Sequence, residues 1–269
     1  TGHYARIADL SGVSRKAVQM AVDEKKDQSY FLWQIPQDHL EHILFPLGEM
    51  LKSEVREKAR NLGLLTAEKP DSMGICFIGE VNVSELLKKR LGENMGDVIM
   101  YPTGSDLVGH NISDLQDLTL NGAVVGRHRG LWFYTIGERG GFDIDKSKLK
   151  KMGMHPEKMG PLYVTGKNKN LNQLIVGERE ETMRSQLRIN SQIINPQNRL
   201  SARQVLKLEN KLWVRIRNLG ELTEVEKIDS SSSHEIAVTL KEKIFGIAEG
   251  QSCVFYDENK VLVGGGIIV

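Results

Sequence analysis

The sequence predicts an α/β segment followed by an all-β remainder. Helical patterns of apolar residues stop near residue 92, and beyond that point short β-rich runs alternate with glycine and asparagine turns. With 269 residues, the chain is longer than one small hydrophobic core requires. We therefore predict an α/β domain at 1–93, a central small β domain at 94–179 and a C-terminal β-barrel domain at 180–269.

Two helices are predicted in the α/β segment. The first follows Pro46, carries its apolar residues on one face and ends at Gly63, a typical C-terminal stop. The apolar face of this helix consists of Val55, Ala59 and Leu62. The second helix covers 83–91, with Asn82 as N-cap and with Leu86 and Leu87 buried.

The central segment predicts a small barrel of antiparallel strands. Its β-rich runs are short and are separated by turn residues, as in compact all-β domains. We assign strands to 97–100, 123–126, 132–136, 162–165 and 174–177. The lysine-rich stretch 143–158 is interpreted as a loop between two of these strands, and no role is assigned to it.

The last segment predicts a second small barrel. Strands are expected at 187–189, 212–217 and 235–240. A closing hairpin pairs 252–256 with 261–263 through the turn residues 257–260.

Composition excludes several classes of protein. The chain is 40% hydrophobic and 26% charged with a formal net charge of +1, which does not suggest a DNA-coating protein but permits a local basic patch. Two cysteines are too few for a disulfide-built secreted scaffold. No apolar run is long enough to cross a bilayer, and the N-terminus shows no signal-peptide pattern, so we expect no membrane partner.

Cys76 is the strongest candidate for chemistry. It lies between Gly74 and Gly79, which permit sharp bends and a close approach by another molecule. A thiol presented in this way can act as a nucleophile or a sulfur carrier if its pKa is lowered. Asp71 and Glu80 would raise that pKa, so activation has to come from backbone N–H groups, a helix terminus or a cation elsewhere. The alternative is an inert, buried thiol.

Several polar segments are weaker candidates for ligand contacts. Gly2 could let a ligand lie against the backbone, and His3 could donate to a phosphate or a base. The loop 26–28 offers a cation, an acceptor and an amide, although composition alone favours a solvated turn. Arg215 and Arg217 share one face of a strand, which alone favours a solvated face.

For several further residues, an ordinary structural role is the alternative to a functional one. Gln251 at a turn could bind a base edge, but a polar turn residue explains it as well. The segments 126–130 and 134–141 place cations between glycines and aromatics, which suits RNA backbone contacts and charged turns equally. Cys253 in an apolar strand is interpreted as packing, and His39 with His42 lacks a third metal ligand.

Six segments in order resemble the tRNA-specific 2-thiouridylases, the MnmA/TrmU family. Each segment alone is modest, but their order extends over the whole chain. They are Thr-Gly-His-Tyr-Ala-Arg (1–6), Lys-Asp-Gln-Ser-Tyr-Phe-Leu (26–32), Phe-Pro-Leu-Gly (45–48), Asp-Ser-Met-Gly-Ile-Cys-Phe-Ile-Gly-Glu (71–80), Tyr-Thr-Ile-Gly-Glu-Arg (134–139) and Gly-Gln-Ser-Cys-Val-Phe-Tyr-Asp (250–257). The fold that this resemblance implies is the remainder of an adenine-nucleotide α-hydrolase-like (PP-loop) domain followed by two small β-barrel domains.

The resemblance implies a sulfurtransferase that places sulfur on C2 of the wobble uridine of tRNA. ATP, with Mg²⁺, would activate the uridine oxygen by adenylation, and a protein partner would deliver the sulfur. Cys76 matches the persulfide-carrying cysteine and Gly2 an ATP-contacting glycine. The positions that match tRNA contacts are His3, Lys26, Asp27, Gln28, Arg215, Ile216 and Gln251. The expected location is the bacterial cytoplasm or, alternatively, the mitochondrial matrix.

The sequence departs from the family pattern at its start. Residues 1–7 read as the end of a strand entering a loop, and the family's nucleotide-binding loop and first catalytic cysteine lie upstream of such a segment. We therefore expect a C-terminal portion that lacks ATP turnover on its own; the alternative is a non-catalytic tRNA-binding module. Glu138 stands where the family usually has glutamine. Because a negative charge there could weaken an RNA contact, Glu138 and Arg139 are not included among the site residues.

Overall fold

The computed structural model describes residues 1–10, 15–69, 82–101, 122–151, 153, 155–190, 211–229 and 235–269. The chain forms two compact units. The first comprises Thr1–Asp71, Ser185–Lys243 and Glu249–Val269, and the second comprises Ser72–Arg184 and Ile244–Ala248. The three-domain boundaries proposed from the sequence stay a prediction. Within the described ranges, no helix is both long and apolar enough to cross a membrane.

The first unit begins with a β-hairpin. Strand β1 (Ala5–Leu10) pairs antiparallel with β2 (Arg15–Met20), so that Ala5 lies opposite Met20. The sequence interpretation of a strand end entering a loop was therefore wrong, because the strand continues to residue 10.

Short helices follow the hairpin. A 3-10 turn covers Ser29–Leu32, α1 covers Gln37–Leu40 and α2 covers Lys52–Asn61. The predicted stop at Gly63 is confirmed by its left-handed backbone (φ 65°). The predicted apolar face of α2 is not buried, and Leu62 is 73% exposed.

The remainder of the first unit is a six-stranded barrel. Its strands are β8 (Met183–Asn190), β9 (Trp213–Arg215), β10 (Thr223–Asp229), β11 (Glu235–Phe245), β12 (Ser252–Tyr256) and β13 (Leu262–Ile267). They follow the order β13-β12-β9-β10-β11-β8, and the two outer strands meet through a bridge between Ile189 and Ile268. A hydrogen bond from the N–H of Val269 to the carbonyl of Arg188 (3.0 Å) extends this closure.

One hydrophobic core joins the two ends of the chain in the first unit. It contains residues of the hairpin, of the 3-10 segment and of strands β12 and β13. Its buried members are Ala5, Val18, Met20, Tyr30, Leu32, Trp33, Leu40, Val254, Tyr256 and Leu262. The early segment and strands β12 and β13 of the last barrel therefore bury apolar surface against each other.

The second unit begins with helix α3 (Val83–Leu91), whose bounds match the prediction. The Asn82 side chain accepts a hydrogen bond from the N–H of Glu85 (3.2 Å) and so caps the helix as expected. Leu86 and Leu87 are half-buried rather than fully buried.

A five-stranded sheet forms the body of the second unit. Its strands are β3 (Gly96–Met100), β4 (Ala123–His128), β5 (Asp143–Ile144), β6 (Tyr163–Asn168) and β7 (Gln173–Gly177), in the order β5-β4-β3-β7-β6. The expectation of purely antiparallel pairing was wrong, because β3 and β7 are parallel. The strand expected at 132–136 is a 3-10 turn at Leu131–Phe133. The stretch 143–158, expected as a loop, contains β5 and helix α4 (Lys146–Lys151).

Close packing against strand β1 explains why the Phe-Pro-Leu-Gly segment ends in a glycine, Gly48. A Cβ atom at this position would collide with the backbone carbonyl of Ala5 in strand β1. We expect Gly48→Ala to lower the free energy of unfolding by about 1–3 kcal/mol, since a buried backbone has to shift. The measurement is the urea-unfolding midpoint. Gly160→Ala is the control, because an added Cβ there meets no atom within 4 Å and should change stability by less than about 0.5 kcal/mol.

His128 makes the second unit sensitive to acid. Its Nδ1 accepts from the N–H of Gly130 (3.0 Å), so its Nε2 carries the proton and donates to the carbonyl of Asn172 (3.0 Å). Burial lowers the pKa of His128 below its ordinary value of 6.5, although the bond to the Asn172 carbonyl partly opposes this.

The contribution of neutral His128 is fully present above about pH 6.5 and is lost as the pH falls towards the lowered pKa. We expect the free energy of unfolding to fall between pH 7.5 and pH 5.5 with a slope of at most about 1.4 kcal/mol per pH unit from this group. Denaturation in His128→Gln should show a smaller slope, whereas the exposed His42→Gln control should keep the parent slope. An unchanged slope in His128→Gln would contradict the assignment.

Candidate functional site

A buried ion pair lies at the centre of the first unit. The Nη1 atom of Arg215 is 2.6 Å from Oδ2 of Asp27, and the two side chains are 5% and 0% exposed. The other oxygen of Asp27 accepts from the N–H of Ala21 (2.9 Å), while its Oδ2 also accepts from the Ser29 hydroxyl (2.8 Å). Pairing and hydrogen bonds on several sides offset part of the free-energy cost of burying these polar groups away from water.

Tyr256 completes the surroundings of this pair. Its hydroxyl lies 3.0 Å from the Ser29 hydroxyl, and its ring centroid lies 5.7 Å from the guanidinium carbon of Arg215. Burial raises the pKa of Tyr256, so the phenol is neutral. The Nε atom of Arg215 is buried without a hydrogen-bond partner among the described residues. The ring therefore offers the guanidinium a cation–π contact where hydrogen bonding is incomplete.

Two more aromatic residues join the loop that follows Asp27 to the last barrel. The Tyr30 hydroxyl lies 2.9 Å from the carbonyl of Ile216 and 3.0 Å from the carbonyl of Ser252. The indole N–H of Trp33 donates to the Ser252 hydroxyl (3.0 Å). Burial raises the pKa of Tyr30, which keeps its donor proton in place. These hydrogen bonds of Tyr30 and Trp33 were not predicted from the sequence, although the aromatic residues at 30–33 were a signal for them.

The start of the chain lies against the same loop. The N–H of Tyr4 donates to the side-chain carbonyl of Gln28 (3.0 Å), and the N–H of Gln28 donates to the carbonyl of Tyr4 (2.8 Å). His3 is half-buried, and its Nδ1 lies 2.7 Å from the Thr1 hydroxyl. The backbone next to Gly2 is open, since an added Cβ would meet no atom within 4 Å.

The structure thus gathers most of the predicted contact residues into one region of the first unit. Lys26, Gln28 and Gln251 are half-buried there, and Gln251 directly precedes Ser252. Their surface is available in part to a ligand. Cys76 lies outside the described residues, so its position relative to this region stays a prediction.

Burial changes the interpretation of three predicted contacts. The solvated-face interpretation of Arg215 was wrong, because Arg215 points into the protein and pairs with Asp27. Ile216 is 3% exposed, and its carbonyl is engaged by Tyr30. The side chains of Asp27, Arg215 and Ile216 therefore make contacts inside the protein. A tRNA contact at these positions stays a prediction.

In the cationic segment 126–130, two of the basic side chains make contacts within the second unit. His128 is buried, and the Arg129 guanidinium donates to the Ser84 hydroxyl (2.6 Å) and lies 4.3 Å from the Phe133 ring centroid. The carboxylate of Glu138 accepts from the N–H of Thr135 (2.9 Å). A glutamine carbonyl could accept the same bond, so the glutamate at this position preserves the local turn.

Two smaller expectations concern cysteine and metal. Cys253 is fully buried in β12, which confirms its packing role, and burial raises the pKa of its thiol. His39 and His42 are exposed. Among the described residues, no group of three or more His, Cys, Asp or Glu side chains could hold a metal ion.

Three family models match the chain in sequence. Residues 1–80 match the tRNA methyl transferase HUP domain, residues 84–178 match the tRNA methyl transferase PRC-barrel domain, and residues 182–268 match the aminomethyltransferase beta-barrel domain. Together the three matches leave only short gaps in the chain. They confirm the predicted fold class, an α/β nucleotide-type domain followed by two β domains.

Curated relatives match over the whole chain. The protein named tRNA-specific 2-thiouridylase MnmA from Lysinibacillus sphaericus is 35% identical over 268 residues, which is 99% of this chain and 62% of the relative. Proteins of the same name from Oceanobacillus iheyensis and Pseudomonas fluorescens are each 36% identical over 100% of this chain, and the chain covers 62% and 63% of them. The chain thus spans under two thirds of the length of these relatives.

We expect the buried pair to be essential to the first unit. Asp27→Asn leaves the guanidinium of Arg215 buried without a counter-charge, which should cost about 3–5 kcal/mol in the free energy of unfolding. The double variant Asp27→Leu with Arg215→Met should be more stable than Asp27→Asn, because no uncompensated charge remains. Chemical denaturation of each variant measures both effects.

The control for this prediction is an exposed ion pair. Glu224→Ala removes the carboxylate that Lys241 contacts at 2.6 Å on the surface, and it should cost less than about 1 kcal/mol. If Asp27→Asn were no more destabilising than Glu224→Ala, the pair would not hold the first unit together.

Proposed function

Because the chain belongs to the family of the tRNA-specific 2-thiouridylases, we propose that it supplies the sulfur-carrying thiol and a tRNA-contacting surface to such an enzyme. The reaction is the ATP-dependent transfer of persulfide sulfur to C2 of the wobble uridine of tRNA. One observation carries this proposal: proteins named tRNA-specific 2-thiouridylase match this chain in sequence over 99–100% of its length. Identities of 32–36% to the curated relatives support it over the same length.

The proposed chemistry uses Cys76 as a relay. Bound ATP would supply an adenylyl group to the uridine C2 oxygen, which makes that oxygen a good leaving group. The terminal sulfur of a persulfide on Cys76 bonds to C2, and AMP leaves with the oxygen. A second thiol then attacks Sγ of Cys76, which forms a disulfide with Cys76 and leaves the transferred sulfur on C2 of the uridine. An external thiol reductant has to reduce this disulfide before the next turnover. The second thiol is not Cys253, because Cys253 is fully buried in the core of the last barrel.

Binding of tRNA is assigned to the surface around the buried ion pair. Lys26, Gln28 and Gln251 are half-buried and can present polar groups outward, and His3 lies on the neighbouring start of the chain. Asp27, Arg215 and Ile216 hold the backbone beneath this surface. The open backbone at Gly2 is compatible with a nucleotide that lies against it. We propose that Mg²⁺ arrives with the ATP phosphates, which are its preferred ligands.

Partners and location follow from the same proposal. A persulfide on Cys76 has to be renewed, which requires a sulfur-donor protein. The relatives are bacterial proteins, which favours the bacterial cytoplasm as the site of action, and the mitochondrial matrix is the alternative.

We expect Cys76→Ser to abolish sulfur incorporation in a protein that joins this chain to the nucleotide-binding segment of a relative, since a hydroxyl cannot carry a persulfide. The measurement is the amount of 2-thiouridine formed in tRNA, determined by mass spectrometry of its nucleosides. Cys253→Ala is the matched control, because it removes the other thiol and should retain sulfur transfer. Retained activity in Cys76→Ser would overturn the role of this cysteine.

The same experiment separates the alternative function. A non-catalytic tRNA-binding module predicts that the parent protein binds tRNA with a steep salt dependence but forms no 2-thiouridine. Formation of 2-thiouridine by the parent protein, lost on Cys76→Ser, supports the enzyme.

A further inference from the structure

The lysine-rich stretch of the second unit has no role in the function proposed above. Between residues 143 and 158 the chain carries five lysines and three carboxylates, whereas its formal net charge over 269 residues is only +1. The lysines are Lys146, Lys148, Lys150, Lys151 and Lys158. A concentration of positive charge on an otherwise balanced chain is a local electrostatic feature that attracts polyanions.

These five lysines are exposed and form no ion pair among the described residues. Leu149, which is 2% exposed, is the residue that anchors α4 in the core of the second unit. The lysines therefore remain available to an external anion.

Two of the three carboxylates of the stretch, Asp145 and Glu157, make local contacts. Asp145 accepts from the N–H and the hydroxyl of Ser147 (2.9 and 2.6 Å), and these bonds lower its pKa. Glu157 lies 3.3 Å from Nδ1 of His155. The acidic groups thus lie at the ends of the stretch, where the side chains of Lys148 and Lys150 interact with them only through space, and they form no ion pair with a lysine of α4.

A pocket lies beside the lysines and within the same unit. It encloses about 300 Å³, and its apolar lining includes Phe142, Ile144, Leu149, Met159 and Leu162. Arg139 and Lys146 contribute cationic groups to the same lining. An aromatic ring and a guanidinium plane are the groups on which unstacked RNA bases rest, while lysines beside them contact the phosphates.

We infer that this surface, which we call the α4 surface (Arg139, Phe142, α4 and Lys158), binds a single-stranded nucleotide of tRNA, with its base in the pocket and the adjacent phosphates on the lysines. This inference rests on the proposed function for the identity of the RNA. The charge and the pocket are separate observations that agree on one ligand, since phosphate and a flat apolar ring occur together in a nucleotide. An acidic peptide would satisfy the lysines but would leave the pocket unused.

The test uses the full-length protein and fluorescently labelled tRNA. The triple variant Lys148→Gln, Lys150→Gln and Lys151→Gln should weaken binding about 10-fold or more at 0.1 M salt, and it should reduce the slope of log K against log salt by about 2 to 3. The matched control replaces Lys88, Lys241 and Lys260 by glutamine, because each of these lysines already contacts a carboxylate. The control should bind nearly as the parent does.

A second measurement locates the base. Transfer RNA that carries 4-thiouridine should cross-link to a peptide within 139–162, and a large excess of tRNA without 4-thiouridine should suppress that cross-link. Displacement of tRNA from the α4 surface by poly-glutamate at equal charge would overturn the assignment to RNA. Saturation of the pocket by the free mononucleotide without any effect on tRNA binding would also overturn it.

The outcomes separate this inference from the function on which it rests. If the parent protein forms 2-thiouridine and the triple variant binds tRNA as tightly as the parent, the inference fails while the proposed function stands. If the parent neither binds tRNA nor transfers sulfur, the proposed function fails first.

Discussion

The pairing of Asp27 with Arg215 is the interaction on which the first unit depends. The two residues are 188 positions apart, and their contact joins the loop after the first hairpin to a strand of the last barrel. Burying both charges carries a desolvation cost, which their mutual attraction, the surrounding hydrogen bonds and the Tyr256 ring offset. The pair therefore specifies one arrangement of these segments, because any slip would leave a charge buried without its partner. Apolar contacts in the shared core contribute the larger part of the stability.

This arrangement gives the predicted contact surface its physical basis. Lys26 and Gln28 flank a carboxylate that cannot move, and Gln251 precedes a residue whose carbonyl accepts the Tyr30 hydroxyl. Side chains held by a rigid backbone lose little conformational freedom when a ligand binds, which favours affinity. A buried pair beneath a polar surface is thus consistent with an RNA-contacting role that the buried residues serve by positioning their neighbours.

The two units use charge in different ways. In the first unit the central cation is internal and neutralised, whereas α4 in the second unit exposes lysines that pair with no described carboxylate. Exposed lysines contribute little to folding, so a cluster of them is retained at little cost in stability and acts through long-range attraction. The segment 126–130 is also rich in basic residues. The side chains of His128 and Arg129, however, form hydrogen bonds inside the protein. The difference lies in what packs around each cation.

Local patterns by themselves determined the helix at 83–91 with its Asn82 cap, the stop at Gly63, the closing hairpin and most of the strands, since these depend on neighbours within a few residues. The order of six segments also determined the family. Only the tertiary structure decided that Arg215 points inward, that β3 and β7 run parallel and that α2 buries none of its residues. Each of these depends on a partner far away in the chain, and the strand pattern at 212–217 is the same whether its arginines face water or a carboxylate. Periodicity reports which residues share a face, but what covers that face is set by long-range packing.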